Sequence, residues 1–542
     1  MRWPRETHNE GCAAPAWCIL RALAFLCVST VLTPWAGAQP AGMAATVPAA
    51  GQSTSAAQSV TRLALEVFVQ QAVVQNATAQ ASRLQAQAAG RLVEAERALY
   101  DPTLVGRARR ELSDRPRTFE EQTSGLTNVG KNSAIEQYST ASAGLRGKLP
   151  SGATFEFSHE LRRRASNLLA NGDAREHRGT LTLTLRQPLL KGAGRESSEA
   201  DLRVAEKEQQ IEAQRFVKQL LDVVTDAGST YWQTYRAEQT VRLRGRAVEV
   251  AQELKAEVQR RVEGGMAPRV ELMEADLALS SRQAEAVRAH QLMVEVQARA
   301  RNLVALDPMA SPDWVLATTF DEAAPEPVAL QADRSADVPP SLLDNVPAYQ
   351  IASLRRDQEQ IRLDHARRQE RPDLSLELGL NRNSLTDAWR SGFQQSLGSR
   401  HPGHYAGVAL EMPIDNGAAR ARREAQLLRR DAAKLQADAE ARTAFNEWAA
   451  RRGQWIASLN ELTLLGREVQ GRQALLAAER ENYQGGRSRL RVLIEAQDRL
   501  DDSRLRQMDA AVRARVAEIA LRAASGELFG FFGLKLVDWT PG

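Results

Sequence analysis

Leu185-Arg-Gln-Pro188-Leu189-Leu-Lys-Gly192-Ala193-Gly-Arg195 aligns without gaps on Leu410-Glu-Met-Pro413-Ile414-Asp-Asn-Gly417-Ala418-Ala-Arg420. Each copy closes a strand signal at its proline and opens a long proline-free stretch. Before Pro188, Leu181, Leu183 and Leu185 alternate with Thr180, Thr182 and Thr184, which predicts a strand with one apolar and one polar face. After it, about Glu196 to Glu263 is rich in Ala, Leu, Glu, Gln and Arg, good helix formers, and predicts a rod of roughly 100 Å. Val217, Leu221, Val224, Gly228, Tyr231 and Tyr235 advance by alternating fours and threes, the stripe of a helix packed along its neighbour. Gly264-Gly265 then ends the rod, and a return helix is predicted from about Arg269 to Ala305.

The same order recurs downstream. A helix predicted from about Ala348 to Gln369 stops at Pro372. Leu374, Leu376, Leu378 and Leu380 then alternate with Ser375, Glu377 and Gly379, and a polar loop, Ser384 to Pro402, leads to a second strand ending near Pro413. A second rod from about Ala418 to Tyr483 carries Trp448, Trp455, Leu462, Val469 and Leu476 at heptad spacing. Gly485-Gly486 ends it before a helix from about Leu490 to Ser525. The offset from Pro188 to Pro413 is 225 residues and that from Gly264 to Gly485 is 221, so two motifs recur nearly in register. This pattern reads as a tandem duplication.

The segments outside the repeats set the compartment and the boundaries. Arg2, Arg5 and Arg21 precede an apolar run from Ala22 to Leu32, and Ala36-Gly37-Ala38 supplies a cleavage site, so residues 1–38 read as a secretory signal peptide. Residues 39–60, rich in Ala, Gln, Ser and Pro, read as a flexible tail. The first repeat takes residues 61–306, beginning with a helix from about Leu63 to Leu99. A proline-rich connector occupies 307–346, the second repeat 347–528, and a C-terminal tail 529–542. Cys12, Cys18 and Cys27 all precede the cleavage site, leaving no thiol for a disulfide or a thiolate metal site. With 71 Lys and Arg against 67 Asp and Glu, interspersed, there is no basic footprint for nucleic acid. No later apolar run reaches about 18 residues, so a membrane crossing would require a closed β-barrel.

Given twice, helix, strand, strand, long helix, Gly turn and shorter helix resembles the TolC-like outer membrane efflux protein family, over about Leu63 to Phe529. The residues carrying the resemblance are the strand-to-helix segments at Pro188, Gly192, Pro413 and Gly417, and the turns around Gly265 and Gly486. It implies a mainly α fold with β structure. Long antiparallel helical hairpins form a periplasmic α-barrel joined to a trimeric 12-stranded transmembrane β-barrel, four strands per chain. It also implies a passive exit duct in the cell outer membrane, with a periplasmic extension, serving a tripartite efflux pump or type I secretion system. The implied partners are two further copies of the chain, a periplasmic adaptor protein, an inner membrane transporter and outer membrane lipid. The rival reading is a periplasmic adaptor, which predicts a single hairpin flanked by small β domains. One stretch departs from the pattern. Alternation on both sides of Pro150-Ser151-Gly152 marks a further hairpin, and Ala143 to Arg163 is read as an enlarged loop or strand extension on the outer side. The arginines of 107–110 and 162–164 there face the lumen, lipid phosphates or solvent.

The resemblance also assigns sites. Gly264, Gly265, Met266, Ala267, Gly485 and Gly486 match turns that dock an adaptor, although each glycine is also accounted for as a helix terminator. Tyr483 matches a gate tyrosine, Glu271 its acidic partner, and Glu495 one position of an acidic ring. Val492 stands at the other ring position and Ser488 where a linking Arg is expected, with Arg487 and Arg489 beside it as substitutes. Glu274 completes the candidate gate, and exposed carboxylates on a helix face are the alternative reading of these acids. No cofactor or enzyme chemistry is implied. The mature histidines are scattered, and His401-Pro-Gly-His404 lacks a third metal ligand.

Overall fold

The computed structural model describes residues 61–123, 133–167, 175–304, 314–316, 339, 341–386, 388–398 and 401–534. The expected leader and tail, and most of the connector, lie outside them. The described chain begins with a short strand β1 (Thr61–Leu63), which pairs in parallel with β6 (Trp314–Leu316). Two helices follow where one was expected, α1 (Leu65–Gln75) and α2 (Ala77–Arg97). Asn76 makes the break. Its side-chain oxygen accepts from the backbone N–H groups of Thr78 (3.0 Å) and Ala79 (3.1 Å), capping α2.

Both rods and both return helices form. The first pair is α3 (Ala200–Glu263) and α4 (Arg269–Leu303), and α5 (Pro347–Gln369) matches the helix expected before Pro372. A short helix α6 (Trp389–Gly398) occupies the predicted polar loop, and the second pair is α7 (Gly417–Gln484) and α8 (Leu490–Ser525). At 64 and 68 residues the rods are each about 100 Å long. They lie in a four-helix layer whose membership changes along its length. Near the sheet, α2 packs on α3, α3 on α5, and α5 on α7. Toward the Gly turns α4 and α8 take over beside α3 and α7, and α8 packs on α3. Between these halves sits the main core, where Phe68, Phe216, Leu220, Tyr231, Tyr235 and Ile519 are buried together. Gly228 lets α8 approach there, since a methyl group on it would lie 2.8 Å from Ile519 Cδ1. Phe529 and Phe532, at the start of the C-terminal segment, are buried in the same core.

The sheet differs from the expected four strands per chain. Among the described residues it holds six antiparallel strands: β2 (Thr103–Pro116), β3 (Ser133–Lys148), β4 (Thr154–Ser166), β5 (Arg175–Pro188), β7 (Asp373–Thr386) and β8 (Pro402–Glu411), in chain order. The β3–β4 hairpin is part of the sheet. Its turn also lies at the opposite end from the one expected, because Thr154 pairs with Arg186, two residues before Pro188, where the chain turns toward α3. The turn is bonded to that junction. Gly194 N–H donates to Ser151 O (2.9 Å), Ser198 Oγ donates to Pro150 O (3.0 Å), and Ser151 Oγ donates to the Gln187 side-chain oxygen (2.9 Å).

Register puts like residues on one face. One rung reads Leu104, Leu145, Phe157, Leu183, Leu380 and His404 across the six strands. A neighbouring rung reads Gly147, Phe155, Leu185, Leu378 and Ala406. The opposite face carries Arg107, Ser142, Glu160, Thr180 and Asn383. Arg109, Arg162 and Arg164 share this polar face, while Arg110 and Arg163 continue the apolar face beyond Leu161. The apolar face is open to its surroundings, with Leu104 81%, Leu380 58% and Val408 67% exposed. Over its half farthest from the long helices α6 leans on it, with Trp389 edge-on to His177 near the strand ends and Ser396 Oγ 2.7 Å from His159 Nε2 at mid-strand.

Candidate functional site: the helical tip

The far end of the helical layer is built from the two Gly turns. In the first, Gly264 N–H donates to Arg260 O and Met266 N–H to Arg261 O, with Gly265 at φ +69°. In the second, Gly485 N–H donates to Glu481 O and Arg487 N–H to Asn482 O, with Gly486 also at φ +69°. The turns are the same structure, a left-handed glycine that satisfies the last carbonyls of a helix. Met266 is 71% exposed at the apex, and Ala267 is half-buried beside it.

Behind the turns, Val258, Ala275, Tyr483, Leu490 and Leu493 form a small core that ties the two hairpins together. Tyr483 is its polar member. Its hydroxyl donates to Glu271 Oε2 at 3.1 Å, and the Arg261 guanidinium lies 4.6 Å above its ring. Burial, then the Glu271 charge, pushes its pKa up to about 12, so the phenol remains a donor at neutral pH. A cavity of about 120 Å³ adjoins it, lined by Leu254, Ala275, Arg282, Leu476, Tyr483 and Leu493.

Of the residues picked from the sequence, the structure brings Tyr483 and Glu271 together and leaves the rest apart from that pair. Ser488 Oγ donates to Glu479 Oε2 within its own hairpin (3.1 Å). Glu495 pairs with Arg491 (3.2 Å) and Arg499 (3.9 Å) on its own helix. Val492, Arg487 and Arg489 are exposed, and Glu274 is half-buried. Pro188 and Pro413 end or follow their strands as expected, but the paired glycines differ. Gly192 takes φ +79°, whereas Gly417 opens α7 and Asn416 takes the left-handed place at φ 37°.

Sequence reasoning missed the strongest polar link. Arg282 on α4, with its side chain 7% exposed, reaches Asp498 (2.5 Å) and Asp501 (3.1 Å) on α8. Burial raises the pKa of Asp498 against the opposing pull of Arg282. The only sequence signal was the run Asp498-Arg-Leu-Asp501-Asp502, which reads equally as a solvated face. Among the described residues no group of three or more His, Cys, Asp or Glu is placed to hold a metal ion.

This geometry has relatives among known proteins. Residues 338–527 match the family model "Outer membrane efflux protein". Those residues form an outer membrane efflux protein domain. They include α5, β7, β8, α7 and α8, and so the Gly485 turn and Tyr483. No match is found among curated proteins. Among solved structures, CusC, described as forming a transmembrane channel, superposes with a TM-score of 0.60 at 14% identity, over 85% of this chain and 91% of its own. The outer-membrane channel OprN gives 0.60 at 16% identity, over 88% and 91%. The CmeC outer membrane channel of Campylobacter jejuni gives 0.58 at 14% identity, over 86% of both chains. The fold of the whole is therefore that of these channels. The efflux-protein domain supplies two strands, and the half preceding it supplies the other four, including the β3–β4 hairpin.

Proposed function

We propose that the protein is an outer membrane exit duct, three copies of which enclose one passage from the periplasm to the exterior. The observation that supports this best is the pair of open flanks on the protomer. One flank presents β2, then α2 with Leu84 and Leu92 exposed, then α4 with Val270, Met273 and Leu277 exposed. The other presents β8, then α7 with Leu428, Leu435 and Leu464 exposed. The flanks differ, so copies join head to tail, and such contacts close into a ring. Among the described residues no helix is long and apolar enough to cross a membrane. The crossing falls to the sheet, whose apolar face, outside the part that α6 covers, meets lipid and whose polar face lines the passage once no edge is left unpaired.

In this reading residues 1–38 are removed on export, and 61–306 and 347–528 form two related halves joined by the connector 307–346. The tip is the periplasmic gate, held shut by Tyr483 on Glu271 and by Arg282 on Asp498 and Asp501. The turns Gly264 to Ala267 and Gly485 to Gly486 receive a periplasmic adaptor, which couples the duct to an inner membrane transporter. Passage itself needs no chemistry at the wall, so the protein acts as a conduit and not as an enzyme. An adaptor in its own right would not need a six-stranded sheet with one apolar face. Membrane fractionation followed by native mass measurement in detergent tests the reading. A trimer from the outer membrane fraction is expected, and a stable monomer from the inner membrane or soluble fraction would overturn it.

A further inference from the structure

From the exit-duct reading and the six strands of each protomer, we infer that the duct crosses the membrane as an eighteen-stranded barrel, sealed by β2 of one copy pairing with β8 of the next. Three observations carry it. First, strand direction alternates from β2 to β8, so the two edges run oppositely. An even number of strands per copy lets every seam be antiparallel, as the rest of the sheet is.

Second, the stagger within one protomer is that of a closed barrel. Following the rung from Thr103 through Arg146, Glu156, Thr184 and Gly379 leads to Tyr405, six residues short of the β8 end at Glu411. The helix-side ends thus slip by six residues across six strands. With rises of about 3.3 Å and strand spacings of about 4.8 Å, one residue per strand corresponds to a tilt of about 35°, within the range of closed barrels. Keeping the helix-side ends level then sets Thr103 beside Glu411 of the next copy. Leu104 meets Leu410, Gly106 meets Val408 and Ala108 meets Ala406 on the apolar face, while Val105 meets Ala409 on the other.

Third, β3 and β4 belong to the wall. Their apolar residues Leu145, Phe155 and Phe157 fall on the same face as Leu183, Leu185, Leu378 and Leu380. Their turn is fastened to the strand-to-helix junction through Ser151, Gly194 and Ser198. Gly152 is held so close that a methyl group there would overlap Gly192 O. Diameter grows roughly in proportion to strand number, so this mouth is about 1.5-fold wider than twelve strands would give. Its exit is therefore suited to bulkier cargo than a twelve-stranded one.

Conductance would report the closed tip and not the barrel, so the seam and the strand count are read directly. In full-length protein with Cys12, Cys18 and Cys27 changed to Ser, the pairs Val105→Cys with Ala409→Cys and Leu104→Cys with Leu410→Cys are oxidised in membranes. Adjacent rungs alternate between wide and close Cα spacing, so one pair sits at a spacing that a disulfide spans. Covalent trimers from that pair are expected, and none from either pair in a protein that is trimeric by native mass would overturn the seam. Electron cryomicroscopy of the trimer in lipid nanodiscs should show eighteen strands. Twelve strands with β3–β4 outside the wall would overturn the inference and leave the duct reading intact, whereas the absence of a trimeric barrel would sink both.

Discussion

Tyr483 is the residue at which burial, charge and hydrogen bonding act together, and its titration can be predicted. Its folded pKa is raised from 10 to about 12, so the stabilisation it lends the tip is fully present below about pH 10 and lost as pH rises through about 12. The tyrosinate absorbance removed by Tyr483→Phe should appear near pH 12, and a step near pH 10 would mean the phenol is not held as described. Changing Glu271 to Lys together with Tyr483→Phe removes the acceptor and the donor of one link in every copy of the proposed trimer. In planar bilayers the double variant should conduct more than the parent, with the trimer intact; equal conductance would place the constriction elsewhere. Arg282→Leu leaves Asp498 without Arg282 and Asp501 with Arg504 alone, at 3.8 Å. Breaking a buried pair typically costs about 3–5 kcal/mol. Asp498 is half-exposed, so the lower end is expected here, read as a fall in thermal stability in detergent, whereas an unchanged stability would mark the cluster as screened by solvent.

At the scale of elements, glycines in left-handed turns separate two kinds of constraint. Gly265 and Gly486 have open space around their α-carbons, so alanine at either incurs only the backbone cost of a positive φ, roughly 1–2 kcal/mol. Gly152 has both a φ of +88° and the Gly192 carbonyl in the way. Gly152→Ala should therefore lower the melting temperature of the trimer clearly more than Gly265→Ala, and the reverse order would mean the β3–β4 turn is loosely held. The helices were legible because proline and Gly-Gly punctuate long runs of helix formers, and the ends of α7 and α8 fall within a residue of expectation. The break at Asn76 was not, since a single capping side chain inside a run of good helix formers leaves no change of period. β2 was also hidden. Its apolar face is lined by small residues, Gly106 and Ala108, between arginines of the polar face, so its alternation has little amplitude. The β3–β4 hairpin was visible as alternation, but its placement depends on pairing with β5, which sequence spacing does not encode.

For the whole molecule, the contacts that tie the tip together join residues more than two hundred positions apart, such as Tyr483 with Glu271 and Arg282 with Asp498. Charges on a helix face give no sign of such partners, which is why the first pair came from family resemblance and the second only from the structure. The account as a whole rests on orientation: α6 at the exterior, the Gly turns in the periplasm, the sheet between them in the outer membrane. Gln394, on α6, and Met266, at the tip, are both exposed and lie at opposite ends of the protomer. The direct test is labelling of Gln394→Cys and Met266→Cys variants with a bulky, membrane-impermeant maleimide, in a background lacking the three native cysteines. Gln394→Cys should label on intact cells, and Met266→Cys only after the outer membrane is opened; labelling of Met266→Cys alone on intact cells, or of neither until lysis, would contradict the account.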